Sequence, residues 1–414
     1  MIHIPPSLHH RQFRLLWLGL MISIAGSQMM VWAIFWHITE ITSQPIALGA
    51  VGAARIIPII IFSLIGGAIA DLTSRRKVMF ITQTAMASAS LALALLTFHG
   101  SIDLWHIYLL TAIQAMAQAF DGPARQALVP NLVPRRDLPN AFSMTSIAFQ
   151  TGAIIGPALG GWVIASLGVG YTYLIDAITY GAVLISLILI GPIPQDVQIH
   201  ARAHGGINLE TIREGVSFIV SQPIILSTML VDFFATFFSS ANTLLPLIVR
   251  NVLKVGAFQY GWLSSAQSIG AVIAALVISQ FKEIRRQGPL FLVAVVIFGA
   301  ATILFGLSSS FWIAMLALII VGASDSVSTI IRNTIRQLQT PDYIRGRMTS
   351  INQMFFMGGP QLGEVEAGSV AQFFGPQAAI ITGGIGCIIA VMWIAGRWPQ
   401  IRGYNGDEPV EAGA

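Results

Sequence analysis

The chain has 414 residues, 55% hydrophobic and only 10% charged, with a mean hydropathy of +0.75. So little charge cannot cover a water-facing surface, which excludes a soluble enzyme or soluble binding module. The net charge of +4 would suit nucleic acid, but its distribution along the chain gives it another purpose.

Apolar runs of helix-spanning length recur throughout. Runs of about 20 residues suit membrane helices rather than barrel strands of roughly 10. The first run, from about Leu15, lacks a small-residue cleavage site and reads as a retained helix. Twelve spans are predicted, near 15–38, 46–70, 77–98, 104–127, 141–167, 171–190, 222–249, 258–281, 288–308, 311–334, 347–373 and 377–396. The fold class expected is an all-α polytopic membrane protein. The lone cysteine, Cys387, lies in an apolar run and reads as a small buried residue. No Cys/His cluster points to a metal, and no cofactor is expected.

With both termini placed in the cytosol, 19 of the 22 Lys and Arg residues fall on the cytosolic side. Arg250 and Lys254 fall outside and Arg55 lies within a span. The positive-inside rule then sets the orientation and accounts for the positive charge with a lipid bilayer and no nucleic acid. The longest polar stretch, 191–221, contains a candidate surface helix from Ile207 and divides the chain into halves at 1–190 and 222–397, with a cytosolic tail at 398–414.

An internal repeat supports the division. At an offset of 207, Arg125 matches Arg332, Pro134 matches Pro341, Ser143 matches Ser350 and Phe149 matches Phe356. Gly152 likewise matches Gly359, Gly156 matches Gly363 and Gly161 matches Gly368. Two six-helix halves with substrate between them is a known transporter plan.

Between spans 2 and 3 lies GGAIADLTSRRK, from Gly66 to Lys77. Its glycines permit close helix approach and Arg75, Arg76 and Lys77 hold the turn in the cytosol. Asp71 either just ends span 2 or acts as a latch on a basic residue or helix N-terminus. This loop resembles the signature of the major facilitator superfamily, with Gly67, Asp71, Arg75 and Arg76 matching; Leu72 stands where the family usually has Arg or Lys. The resemblance implies a latch that closes the cytosolic side near the start of span 11.

Span 5 reads QTGAIIGPALGG, with Gly152, Gly156, Pro157, Gly160 and Gly161. By spacing alone this is a flat face for close packing, bent by a proline that lacks a backbone donor. It also resembles the superfamily's antiporter motif, which implies efflux rather than import. ITEITSQPIALGAVG from Ile38, NLVPRRDLPNAFS from Asn131 and TPDYIRGRMTSIN from Thr340 resemble the drug-and-metabolite exporter branch that includes the enterobactin exporter and macrolide efflux proteins, also labelled transmembrane secretion effector. The resemblance runs from about Arg11 to Arg397.

Ionisable groups inside spans are costly, so each is a functional candidate. Arg55 and Glu364 sit at similar depth, roughly 13 Å below the outer surface at 1.5 Å rise per residue. Arg55 is expected to pair with Glu364 or Glu366, which point about 200° apart, and the pair either holds an outer gate or lets a proton compete for it. Asp232, alone among aromatics in span 7, reads as a proton carrier, a drug-attracting charge or a hydrogen-bonded helix contact. Asp121 with Arg125, and Asp325 with Arg332, read as intrahelical pairs. Asp176 reads as structural. Uncharged cavity candidates are Gln28, Gln114, Gln118, Asn242, Asn352 and Gln353. Phe35, Trp36, Phe233, Phe234, Phe237 and Phe356 are candidates for apolar walls.

These readings converge on a secondary transporter in a bacterial-type cytoplasmic membrane. It is expected to be a monomer that exports amphipathic small molecules by alternating access in exchange for protons. A dedicated siderophore or lysolipid exporter stays open as an alternative. An intramembrane enzyme would need convergent catalytic groups, and no H-E-x-x-H, G-x-S-x-G or P-loop pattern occurs. A membrane sensor would need a soluble domain to signal through.

Overall fold

A computed structural model describes residues 5–192, 216–238, 240–281, 284–341 and 345–406. Of these, 63–72, 240–241, 345–347, 349–351 and 353–357 are described in backbone only.

Among the described residues, twelve long helices follow in chain order. They are α1 (Arg11–Ile41), α2 (Pro45–Leu72), α3 (Arg75–Phe98), α4 (Leu104–Leu128), α5 (Leu138–Leu167) and α6 (Val169–Ile190), then α7 (Pro223–Phe238), α8 (Ala257–Ile278), α9 (Gln287–Leu307), α10 (Phe311–Leu338), α11 (Arg345–Phe374) and α12 (Pro376–Arg397). A short α13 (Gln400–Gly403) ends the described chain. The chain is an all-α polytopic membrane protein. Ten of these stretches are apolar enough to cross a bilayer by composition among the described residues. The other two, α4 and α11, are 25 and 30 residues long. Their hydropathy is lowered by polar side chains such as Gln114 and Asp121 in one and Gln361 and Glu364 in the other.

Local chemistry sets the ends. Gly168 at φ 97° separates α5 from α6, and Gly375 at φ 88° separates α11 from α12, a backbone region open to glycine. Pro45 and Pro376 open α2 and α12, where the missing N–H has no intrahelical partner to lose. Asp103 and His106 cap α4 reciprocally.

Span 7 departs from expectation. It was expected to run as one helix over 222–249, but regular α-helix stops at Phe238. A 3-10 turn (Ser240–Leu244), a single α-turn (Leu245–Leu247) and a π-turn (Ile248–Val252) follow. Pro246 cannot donate to the carbonyl four residues back, so the regular ladder cannot pass through it.

By its contacts the chain forms two compact units. The first comprises Met1–Thr42, Ala54–Ile207 and Gly256–Ser265. The second comprises Ser43–Ala53, Asn208–Val255 and Ala266–Ala414. Each unit therefore includes a short segment from the opposite half of the sequence: the start of α8 in the first, the start of α2 in the second. In the first unit α1 lies against α5 and α6, and α3 lies against α4 and α6. Phe13, Leu16, Leu20, Met79, Val183 and Leu187 form its apolar core. In the second, α9 lies against α10 and α12, and α11 lies against α7 and α12, around Phe291, Val295, Ile331, Ile335 and Ile394. Cys387 is fully buried and free in this core.

Both ends of the described chain are anchored. Asn140 Oδ1 accepts hydrogen bonds from Ser7 N and Ser7 Oγ, and His10 meets Asp137 at 2.8 Å. Part of the expected tail is docked as well. Ile401 and Tyr404 are buried, Gly288 N donates to Tyr404 O at 2.9 Å, and Gln339 Nε2 donates to the Tyr404 hydroxyl at 3.3 Å.

Candidate functional site

The glycine face of α5 is built into two helix contacts. A Cβ on Gly152 would stand 2.6 Å from Ile24 Cγ2, and one on Gly156 would stand 2.5 Å from Ala25 O. One on Gly160 would meet Met29 Cγ at 2.8 Å. These three residues, four apart, let α1 lie on α5 at backbone distance. Gly161 faces elsewhere. A Cβ there would fall 2.6 Å from Gly261 Cα at the start of α8, and one on Gly261 would lie 2.7 Å from Pro157 O. The same region is tied by Tyr260, whose hydroxyl donates to Trp32 O at 2.8 Å, and by Ser265, whose hydroxyl donates to Ile154 O at 2.7 Å.

The second unit repeats the plan. Gly359, the repeat partner of Gly152, faces Thr236 of α7. Gly368, the partner of Gly161, faces Gly49 at the start of α2. One turn along, a Cβ on Gly52 would lie 2.7 Å from Glu364 Cβ and 3.1 Å from its Oε2. Glu364 thus lies against the start of α2 within this unit. Glu366 is half-buried.

The buried charges are placed differently from the sequence expectations. Asp232 is not a lone carboxylate: it forms an ion pair with Arg332 of α10, and both side chains are nearly inaccessible. Arg332 Nη1 also stands 4.0 Å from Asp325 Oδ1, so the expected intrahelical pair is the looser of its two interactions. The Asp325 side chain is half exposed, and a desolvated arginine is better compensated by the buried acid. Arg336 continues the cluster, with its Nε donating to Arg332 O at 3.2 Å and its Nη2 to Asn333 Oδ1.

Asp121 also differs from expectation. Its Oδ1 accepts from Thr82 Oγ1 at 3.0 Å and Gln83 Nε2 at 2.9 Å, both on α3, and no ion pair joins it to Arg125 among the described residues. Arg75 and Arg76 reach backbone carbonyls, Ala127 O at 2.9 Å and Leu187 O at 2.7 Å. Gly67 and Asp71 lie in the backbone of α2, and the latch expected of the Asp71 side chain falls outside what is described.

Of the cavity candidates, Asn242 and Gln267 pair amide to amide, at 3.0 and 2.7 Å, which satisfies both side chains within the protein. Gln114 Nε2 donates to Ser90 Oγ at 2.8 Å, and Ser90 donates to Asp176 at 2.6 Å. Gln28 is half-buried beside Gly156, Gln118 is exposed and Asn352 is half-buried. The side chains of Gln353 and Phe356 are outside the described residues. Phe35 and Trp36 are buried in packing, with Trp36 and Tyr260 rings 5.1 Å apart. Along α7, Phe233 stacks on Phe237 and Phe234 on Phe238, while Phe233–Phe234 and Phe237–Phe238 meet edge to face.

Paired helices packed through glycine, with charges buried on helices, are features of the transporter plan. The chain is a transporter of the major facilitator superfamily. It belongs to the family described as transmembrane secretion effector, whose model matches residues 5–404. It is 26% identical over 409 residues to the enterobactin exporter EntS of Citrobacter koseri, covering 98% of this chain and 96% of that one. It is also 26% identical over 384 residues to the enterobactin exporter EntS of Escherichia coli O81, covering 92% and 90%. Among solved structures it resembles a bacterial homolog of the human lysosomal transporter Spinster, inward-facing and unoccupied, with a TM-score of 0.70, 13% identity and 97% of each chain covered. It also resembles a POT family transporter in complex with 5-aminolevulinic acid, with a TM-score of 0.74, 13% identity and 94% and 96% covered. At that identity the solved structures speak for the fold alone.

Proposed function

We propose that this protein is a secondary active exporter. It moves amphipathic small molecules out across the cytoplasmic membrane by alternating access of two six-helix halves, as a monomer with both termini in the cytosol. Protons supply the counter-flux. The observation that carries export is the seating of Gly152, Gly156 and Gly160 directly on α1. Such a face fixes the two helices as one body, and its sequence resembles the exporters' motif. Kinship to proteins named as exporters supports the same direction.

The test is accumulation of a fluorescent dye and of antibiotics in energised cells lacking their own pumps, with and without this protein. Lower accumulation that an uncoupler abolishes supports energy-dependent efflux. Arg55→Leu is then expected to abolish export, and Glu364→Gln to restore it in that background. If accumulation is unchanged for every compound, the drug-export reading falls.

A dedicated siderophore exporter is the second reading, favoured by the relatives named as enterobactin exporters. Secretion of a catecholate siderophore by an exporter-deficient producer separates the two readings. Restored secretion with no change in dye accumulation selects this one.

A further inference from the structure

We propose that Asp176 of α6 is a reversible proton-binding site within the first unit, formed with Ser27, Ser90 and Tyr180.

Asp176 is wholly inaccessible. Its Oδ2 accepts from Ser90 Oγ of α3 at 2.6 Å, and Ser90 in turn accepts from Gln114 Nε2 of α4 at 2.8 Å. Its Oδ1 is buried and receives no hydrogen bond. The donor beside it, Ser27 of α1, gives its hydroxyl proton to the Tyr180 oxygen at 3.0 Å. No Lys, Arg or His ion pair reaches Asp176 among the described residues. This sets it apart from Asp232, which has Arg332, and from Asp121, which has two donors on one oxygen.

The groups around it confirm how little positive charge is at hand. From α6 itself come Tyr173 and Tyr180, both buried. From α1 comes His37, committed to the Tyr173 hydroxyl at 3.0 Å, with Glu40 beyond it. From α4 come Asp121 and Arg125, which act on Tyr180. Among the described residues no charged side chain of α3 or α5 forms an ion pair with Asp176. An ionised carboxylate in apolar surroundings, held only by neutral hydroxyl donors and with no counter-ion, is disfavoured, and binding a proton relieves it.

The unfilled acceptor at Oδ1 also shows where that proton belongs. Protonated there, Asp176 becomes a donor toward Ser27 Oγ, and Ser27 keeps its bond to Tyr180. Ionised, Asp176 accepts the Ser27 hydroxyl proton, and the Tyr180 hydroxyl then donates to Ser27 Oγ. One proton therefore reverses the hydrogen bonds that join α1 to α6. The proposal deepens the proton-coupling reading in what the proton does. Whether a proton binds can be measured without any transported substrate.

The experiment is infrared difference spectroscopy of the full-length purified protein in lipid nanodiscs, titrated between about pH 5 and 9 around the ordinary range of buried acids. The expected result is a neutral-carboxyl stretch, shifted in D2O, that fades as pH rises. It should vanish in Asp176→Asn and move in Asp176→Glu. Ser90→Ala keeps the carboxyl but removes the donor that favours its ionised form, so its titration should shift to higher pH; this arm needs no change at Asp176 itself. A spectrum unchanged by Asp176→Asn overturns the proposal, as does a band that is constant across the whole range. Uncoupler-sensitive efflux without the band refutes this site and spares proton coupling. The band without uncoupler sensitivity supports the site and refutes the coupling.

Discussion

Gly49 and Gly368 meet backbone to backbone: a Cβ on Gly368 would stand 2.7 Å from Gly49 Cα. Gly161 and Gly261 meet in the same way, with 2.6 Å from a Cβ on Gly161 to Gly261 Cα. Gly161 and Gly368 are repeat partners, so each unit uses the same α5 or α11 glycine to seat a segment from the opposite sequence half. Small residues are what permit such an approach where lipid gives no hydrophobic drive for helix association.

These glycines should therefore resist substitution where others do not. Gly161→Leu and Gly368→Leu are expected to lower the thermal midpoint in detergent by several degrees, since overpacking costs typically ~1–3 kcal/mol. Gly181→Ala is the control, because nothing lies within 4 Å of a Cβ there. Differential scanning fluorimetry on the three variants decides it. Equal midpoints would mean the backbones part easily.

The Asp232–Arg332 pair makes a sharper prediction. Removing one member leaves the other buried and uncompensated. Arg332→Met is expected to destabilise by ~3–5 kcal/mol, the usual range for breaking a buried pair. Replacing both residues, with Asp232→Leu and Arg332→Met, should recover most of that loss. Thermal midpoints of the two single variants and the double close the cycle. A double variant no better than its worse single would show that the residues do not depend on each other.

Much of the fold was legible in the sequence, and the reason is physical. A bilayer sets the length of an apolar run, so α4 was expected at 104–127 and spans Leu104–Leu128. Glycine and proline mark the ends and close approaches of helices, so the contact face of α5 was readable too. Partners were not. Helical period places Asp325 and Arg332 on one face, but it does not say that α7 brings Asp232 nearer. Asp121 and Arg125 are one turn apart, yet Thr82 and Gln83 of α3 hold the carboxylate. Asp176 was expected to be structural. Its missing counter-ion is a property of what α1, α3 and α4 present to it, and no single helix carries that information. The break in span 7 has a local signal in Pro246, which the surrounding apolar run conceals.

The docked tail predicts protection from protease. Arg402 is exposed, but its neighbours Ile401 and Tyr404 are buried, so the segment cannot enter a protease without local opening. Trypsin should cut after Arg402 slowly in the native protein. Tyr404→Ala, which removes the acceptor used by Gln339, should speed that cut by about tenfold. Timed digestion read by mass spectrometry measures it, and equal rates would mean that this anchor contributes nothing.

Orientation in the membrane is tested by labelling. The native thiol, Cys387, is fully buried, so the protein should be silent to an impermeant maleimide in intact cells. Ser101 follows α3 and Ser309 follows α9, and both are exposed. Thr73, between α2 and α3, is exposed at the basic turn. The positive-inside rule puts that turn in the cytosol and the two serines outside. Ser101→Cys and Ser309→Cys should therefore label in intact cells, while Thr73→Cys labels only after the membrane is opened. The reverse pattern would turn the whole chain over. It would place Arg75, Arg76 and Lys77 outside and remove the explanation for where 19 of the 22 basic residues fall. Labelling of all three would mean that at least one of the helices between them fails to cross.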